Sequence, residues 1–360
     1  MRDTKRCTLV MLAVTLAVMA PVFTGCASSK GSASSSSTSS VLVPASSGPA
    51  PSTITYDGPN AGLPGKLPVP AHKNLTVGYL QAYTGVSTLV ATQNAIQRTV
   101  EQLGGKFILK DANLNPQTQV SQLNELISQH VDDIVVFPID PTSLTPSLAK
   151  AKAAGIPVIA VSATLGGDET VPEGYVATVD LPADTAAFET VQRIAENHPQ
   201  ASVVILGSTL PVPAINYPVQ RATYWAKRFG LRVLGQVDNT QDNPTGYTTA
   251  ANTVAARYPN ADVVLAYNDA YAIPVAQVLA SSGHPKILVT ANNGGARVGI
   301  DAVAAGKLFS VYSIPWDEVG VQAAYAAYSA TAGTKVPRVI LPQGQLITSQ
   351  NAKTAKAAGE

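Results

Sequence analysis

Cysteine is nearly absent from this chain: Cys7 and Cys26 are the two among 360 residues. Two thiols cannot build a disulfide framework or a cysteine-rich zinc module. Histidine is almost as scarce, at positions 72, 130, 198 and 284, with no two close enough in sequence to suggest a ligand pair. Neither sign of charge is in excess, with 24 Lys and Arg against 23 Asp and Glu. A nucleic-acid binder would need a basic face to offset phosphate charge. The Gly-x-x-x-x-Gly-Lys-Ser/Thr phosphate loop and the Gly-x-Ser-x-Gly nucleophile elbow are both missing. The stretch Asp238–Asn243 is only loosely similar to a calcium loop, because its sixth position is Asn243 in place of glycine and its twelfth is Thr249. The expectation is a binding protein without enzymatic activity, metal or cofactor.

The length suits two domains rather than one core. At the N-terminus, Arg2, Lys5 and Arg6 precede an apolar stretch over residues 8–23. That stretch has the length of a secretory signal core and falls short of the ~20 residues a spanning helix needs. It runs into Phe23-Thr24-Gly25-Cys26. Small residues before a cysteine resemble the lipobox of bacterial lipoproteins, with Phe23 where Leu is usual, which implies lipidation at Cys26. Residues 27–53 hold twelve serines and a single charge, Lys30. Such a segment buries too little apolar surface to fold, so a flexible tether is expected. The organisation read from this is a signal over 1–25 and a lipidated tether over 26–73. The protein would be extracytoplasmic, held at the cell membrane by its lipid.

From Leu75 onward, short β-branched runs alternate with amphipathic stretches. Strands are expected at 75–80, 106–110, 133–137, 157–161 and 175–179, then at 202–207, 231–237, 262–267, 286–291 and 308–313. Several of these runs are apolar on both faces, as strands buried in a parallel sheet should be. Val120, Leu123, Ile127 and Val131 recur at helical spacing behind Asn115-Pro116, a cap and first-turn pair. This alternation predicts an α/β protein of two doubly wound, Rossmann-like lobes with parallel sheets. Ligands of such sheets bind beyond the carboxyl ends of the strands. Those ends are polar, aromatic or small, with amides recurring: Gln81 and Tyr83, Asp140, Ser162, Asn239, Asn268, Asn292 and Trp316. Amides supply donors and acceptors without charge, which suits a neutral hydroxylated solute. The competing expectation is that the strand-end Asn and Asp residues cap the following helices.

The segments KAAGIPVIAVSA (152–163), AYNDAYA (266–272), TANNG (290–294) and GKLFSVYSIPWDEVG (306–320) carry a family likeness. Over about residues 74–347 the chain resembles the sugar-binding proteins of ABC importers, the periplasmic binding protein type I class. That resemblance implies two lobes joined by three crossing segments, near 179–181, 314–315 and 339–341. The first lobe would be 74–179 plus 315–338 and the second 180–314 plus 339–348, with a tail over 349–360. It also implies a ligand site of Gln81, Tyr83, Asp140, Ser162, Asn216, Asn243, Asn268, Asn292 and Trp316. The chain departs from the pentose-binding pattern at Ser162-Ala163, where an Asp-Arg pair is usual, at Val219 for a second arginine, and at Asn292 for an aspartate. Losing two guanidinium groups removes fork-shaped hydroxyl donors. The resemblance therefore implies a monomer that carries a neutral sugar, polyol or similar small solute to an ABC permease. A receptor signalling to a membrane kinase or chemoreceptor is the alternative.

Overall fold

The computed structural model describes residues 51–56, 63–163, 171–358 and 360. The signal stretch, Cys26 and most of the expected tether lie outside the described residues. Among those described, no helix is long and apolar enough to cross a membrane.

In the first lobe, β1 (Thr76–Gln81), α1 (Ser87–Gln102), β2 (Lys106–Asp111), α2 (Pro116–Ser128), β3 (Asp133–Val136), α3 (Pro141–Ala153), β4 (Val158–Val161) and β5 (Ala177–Val179) alternate. The second lobe continues with α4 (Ala183–Asn197), β6 (Ser202–Ser208), α5 (Pro213–Arg228), β7 (Arg232–Asn239), α6 (Pro244–Arg257), β8 (Val263–Ala266), α7 (Asp269–Ser281), β9 (Leu288–Gly294), α8 (Arg297–Ala304) and β10 (Ser310–Ser313). Helix α9 (Trp316–Thr331) and strand β11 (Val339–Ile340) return to the first lobe, and β12 (Gln345–Ile347) closes the second. The sheet orders are β11-β5-β4-β3-β1-β2 and β12-β10-β9-β8-β6-β7. Every pairing is parallel except β10 with β12. Strands β3, β4 and β8 are buried at every position, which accounts for their unbroken apolar character.

Asn115 caps α2 as expected, accepting from the Thr118 N–H at 3.0 Å ahead of Pro116. Gly155 follows the end of α3 with φ +73°, a conformation that side chains resist. Helices α1 and α9 approach so closely that a Cβ on Gly320 would collide with the Thr92 carbonyl and Ala95.

Two boundaries differ from the expectation. Strand β11 pairs with β5 and so belongs to the first sheet, which puts the third crossing between β11 and β12. The sequence around 339–341 is apolar and β-branched whichever sheet it joins, and only the pairing partner decides. The stretch 51–71, placed in the tether on composition, also carries packed residues. Ile54 is buried, and the Tyr56 ring lies 5.4 Å from Phe188 on α4 and 6.0 Å from Trp225 on α5, its hydroxyl donating to Asp184 Oδ2 at 3.1 Å. Further on, Leu341 N–H donates to the Pro64 carbonyl at 2.7 Å, and Leu67 N–H to Gln322 Oε1 on α9 at 2.6 Å. This arm therefore touches the second lobe with one end and the first lobe with the other. The tail is packed as well: Ala352 and Ala357 are buried, and Arg297 donates to Glu360.

Candidate functional site

In each sheet the first strand of the lobe lies between the second and the third, β1 between β2 and β3, and β6 between β7 and β8, so the chain runs outward to either side of it. These are the switch points where doubly wound sheets leave a crevice. The two crevices face each other across one cavity of about 60 Å³. From the first lobe it is walled by Tyr83, Thr88, Leu89, Phe137 and Trp316, and from the second by Ala214, Ile215, Asp242, Tyr267, Asn268 and Asn293. At ~10–15 Å³ per water, that volume corresponds to a few waters, the scale of a small polar molecule.

Two side-chain hydrogen bonds cross between the lobes at this cavity. The Tyr83 hydroxyl donates to Asp242 Oδ2 at 2.9 Å, and the Trp316 indole N–H donates to the Gly294 carbonyl at 2.7 Å. Trp316 is held in turn by its backbone carbonyl, which accepts from Thr92 Oγ1 at 2.9 Å. Asp242 sits at the end of the β7–α6 loop and is 9% exposed. Its Oδ1 accepts from the hydroxyls of Tyr247, at 2.6 Å, and Tyr267, and Tyr267 accepts from Asn239 Nδ2 at 2.9 Å. Burial first, and the Asp242 charge second, push the hydroxyls of Tyr83, Tyr247 and Tyr267 above the usual phenol range, so they remain donors. Asp269, at the start of α7, is fully enclosed, and burial raises its pKa to about 6 despite backbone N–H groups of Ala270, Gly295 and Ala296. Its carboxylate faces Gly294 and Gly299, where a Cβ would strike it.

Of the residues singled out in the sequence, Tyr83, Asn268 and Trp316 line the cavity. Asn268 also caps α7, accepting from Tyr271 N–H at 2.8 Å. The other six do not line it, and each has a local role. The Gln81 amide donates to the Leu89 carbonyl at 3.0 Å and accepts from the Tyr79 hydroxyl at 2.8 Å, fixing the β1–α1 loop from within. Asp140 and Asn243 cap α3 and α6, accepting from Thr142 N–H and Gly246 N–H, each at 3.0 Å. Asn216 donates to the Leu210 carbonyl at 2.9 Å, and Asn292 to the Pro218 carbonyl at 3.1 Å. Ser162 is buried, with φ +55°, and its N–H donates to the Val179 carbonyl. The capping expectation thus describes Asp140 and Asn243, and it describes half of what Asn268 does.

Asp242 and Asn293 line the cavity in place of their neighbours Asn243 and Asn292. A signal for each was present. Asn243 stands directly before Pro244, the position of a helix cap, which commits its side chain and leaves its predecessor to face the crevice. Adjacent strand residues point to opposite faces, so only one of Asn292 and Asn293 can face the cavity.

Comparison with known proteins agrees with this architecture. Residues 77–335 match the periplasmic binding protein domain. The chain is 29% identical over 203 residues to the xylitol-binding protein of Mycolicibacterium smegmatis, an alignment covering 56% of each. The chain thus spans little more than half the length of that relative. It is 22% identical over 269 residues to the ribose import binding protein RbsB of Bacillus subtilis, covering 74% of this chain and 85% of the relative. An ABC transporter solute-binding protein from Mycobacterium smegmatis, solved with bound glycerol, superposes with a TM-score of 0.70 at 23% identity, covering 80% of this chain and 100% of that one. A solute-binding protein from Bacillus halodurans, solved with bound myo-inositol, gives 0.69 at 20% identity, covering 79% and 97%. At such identities the solved structures speak for the fold alone. With two parallel-dominated α/β lobes, three crossings and a cavity between them, this chain belongs to the periplasmic binding protein domain family, in its type I form.

Proposed function

We propose that this protein is an extracytoplasmic solute-binding component of an ABC importer, which captures a small sugar or polyol between its lobes and hands it to a permease. The observation that carries the reading is a cavity walled by both lobes and bridged across them by Tyr83–Asp242 and Trp316–Gly294. A solute touching both walls stabilises the closed arrangement over the open one and so shifts the population towards it. The names of the relatives, with their xylitol and ribose, point to the same class of cargo. A micromolar Kd amounts to about −8 kcal/mol, within reach of a few hydrogen bonds and aromatic contacts in so enclosed a site. Lipidation at Cys26 would keep the carrier at the membrane beside its permease.

Thermal shift followed by calorimetry with xylitol, D-ribose, D-xylose, glycerol and myo-inositol tests the assignment. A ligand at 100-fold excess over its Kd stabilises the folded state by about 2.7 kcal/mol, which reads as a clear rise in Tm. A flat response across sugars, polyols and their amino derivatives alike removes the transport-receptor reading.

A further inference from the structure

The charge inside the cavity is one-sided. Asp242 and Asp269 line it, and no lysine, arginine or histidine does. Among the described residues, the partners of the Asp242 carboxylate are all neutral: the hydroxyls of Tyr83, Tyr247 and Tyr267. A carboxylate offers about four acceptor positions. Two on Oδ1 are filled from within the second lobe, and the one filled on Oδ2 comes from the opposite lobe, through Tyr83. One position on Oδ2 therefore remains, on a residue that lines the cavity. Three hydroxyls satisfy the hydrogen-bonding needs of this group but leave its charge unbalanced in an enclosed space, where a counter-charge is worth most. Four rings, Tyr83, Phe137, Tyr267 and Trp316, line the same cavity. Aromatic faces attract a cation through the ring quadrupole.

We propose that the cavity selects a solute bearing a protonated amine, an amino-polyol or amino sugar, with the ammonium on Asp242 Oδ2 among these rings. The proposal rests on the reading of the protein as a small-solute receptor and narrows its cargo. An ammonium supplies both the missing donor and the missing positive charge, whereas a hydroxyl supplies only the donor. A carboxylate or phosphate in that place would meet like charge with no cation to relieve it.

The test is calorimetry on the full-length chain with pairs that differ in one group: serinol against glycerol, with glycerate as the anion, and D-glucamine against sorbitol. The amine of at least one pair should bind ten-fold or more tighter than its neutral partner, with glycerate giving no heat. Asp242→Asn should reduce that preference to less than about twofold, whatever it does to polyol affinity, with folding of the variant read separately from its circular dichroism and melting curve. Should D242N fail to fold, the comparison in the wild-type protein decides by itself. Polyols binding as well as or better than the amines overturns the proposal while leaving the transport reading in place. No response to either class overturns both.

Discussion

The Tyr83 hydroxyl in the first lobe rests 2.9 Å from Oδ2 of Asp242 in the second, and Asp242 is held on its far side by Tyr247 and Tyr267. Two of the acceptor's partners thus belong to its own lobe, and the third comes from the other lobe. This division makes Tyr83 a reporter of the lobe-to-lobe equilibrium.

Tyr83→Phe removes that donor and little else. A hydrogen bond to a charged group contributes about 1.5–3 kcal/mol, and here it acts only when the lobes are together. The variant should populate the open arrangement more, read as a larger radius of gyration by small-angle X-ray scattering without added solute. Its denaturation midpoint should stay near that of the wild type. An unchanged scattering profile would assign closure to the Trp316–Gly294 contact instead.

Asn268 faces the cavity and caps α7. Asn268→Ala should therefore cost about 1 kcal/mol of stability through the lost cap. A further 1–3 kcal/mol of solute affinity should go through the stranded partner. Urea denaturation reads the first and calorimetry with xylitol the second. A stability loss with affinity untouched would confine the residue to capping.

Asp269 gives a pH signature. Its folded pKa of about 6 lies above the ordinary carboxylate value of 3.8 because the site is buried. The folded state thus binds the proton more tightly than the unfolded chain, so the stability this gives is full below about pH 4 and is lost as pH rises towards 6. The size is on the order of 2–3 kcal/mol for a shift of this extent. Asp269→Asn escapes the loss. The difference in Tm between D269N and wild type should move in favour of the variant between pH 4 and pH 7. A difference constant across that range would show that the carboxylate is not titrating there.

The arm makes a prediction about where the chain can be cut. A soluble form beginning at residue 72 discards Ile54 and Tyr56, exposes the faces of Phe188 and Trp225, and takes one donor from Asp184. Large buried side chains contribute about 1.5–3 kcal/mol each. Such a form should melt several degrees below one beginning at residue 51. Equal melting temperatures would mean that the arm adds nothing to the folded body.

Much of the fold was legible in the sequence because parallel strands are apolar on both faces while the helices between them are amphipathic. All ten strands read from the sequence appear, most of them displaced by one or two residues at an end. The failures have a common cause. Strand β11 is two residues long, and its sheet is decided by a neighbour far away in sequence. The arm was hidden because Ile54 and Tyr56 sit in a serine- and proline-rich context, where composition speaks for the average and not for two anchoring side chains. At the site, residue type located the right loops but not the right neighbour. Asn243 and Asn292 sit in those loops, yet it is Asp242 and Asn293 that line the cavity.

The double duty of Asn268 has an evolutionary consequence. Changing it to suit a different cargo also unsettles a helix, so a lineage exploring new solutes meets a toll on folding at that position. Ala214, Ile215 and Val212 line the same cavity from the first turn of α5, where no side-chain cap is formed. Exchanges among small and branched residues there reshape the wall without removing a hydrogen bond. Paralogues of this protein that have changed diet should therefore differ first along that turn, with Asn268 retained beneath them.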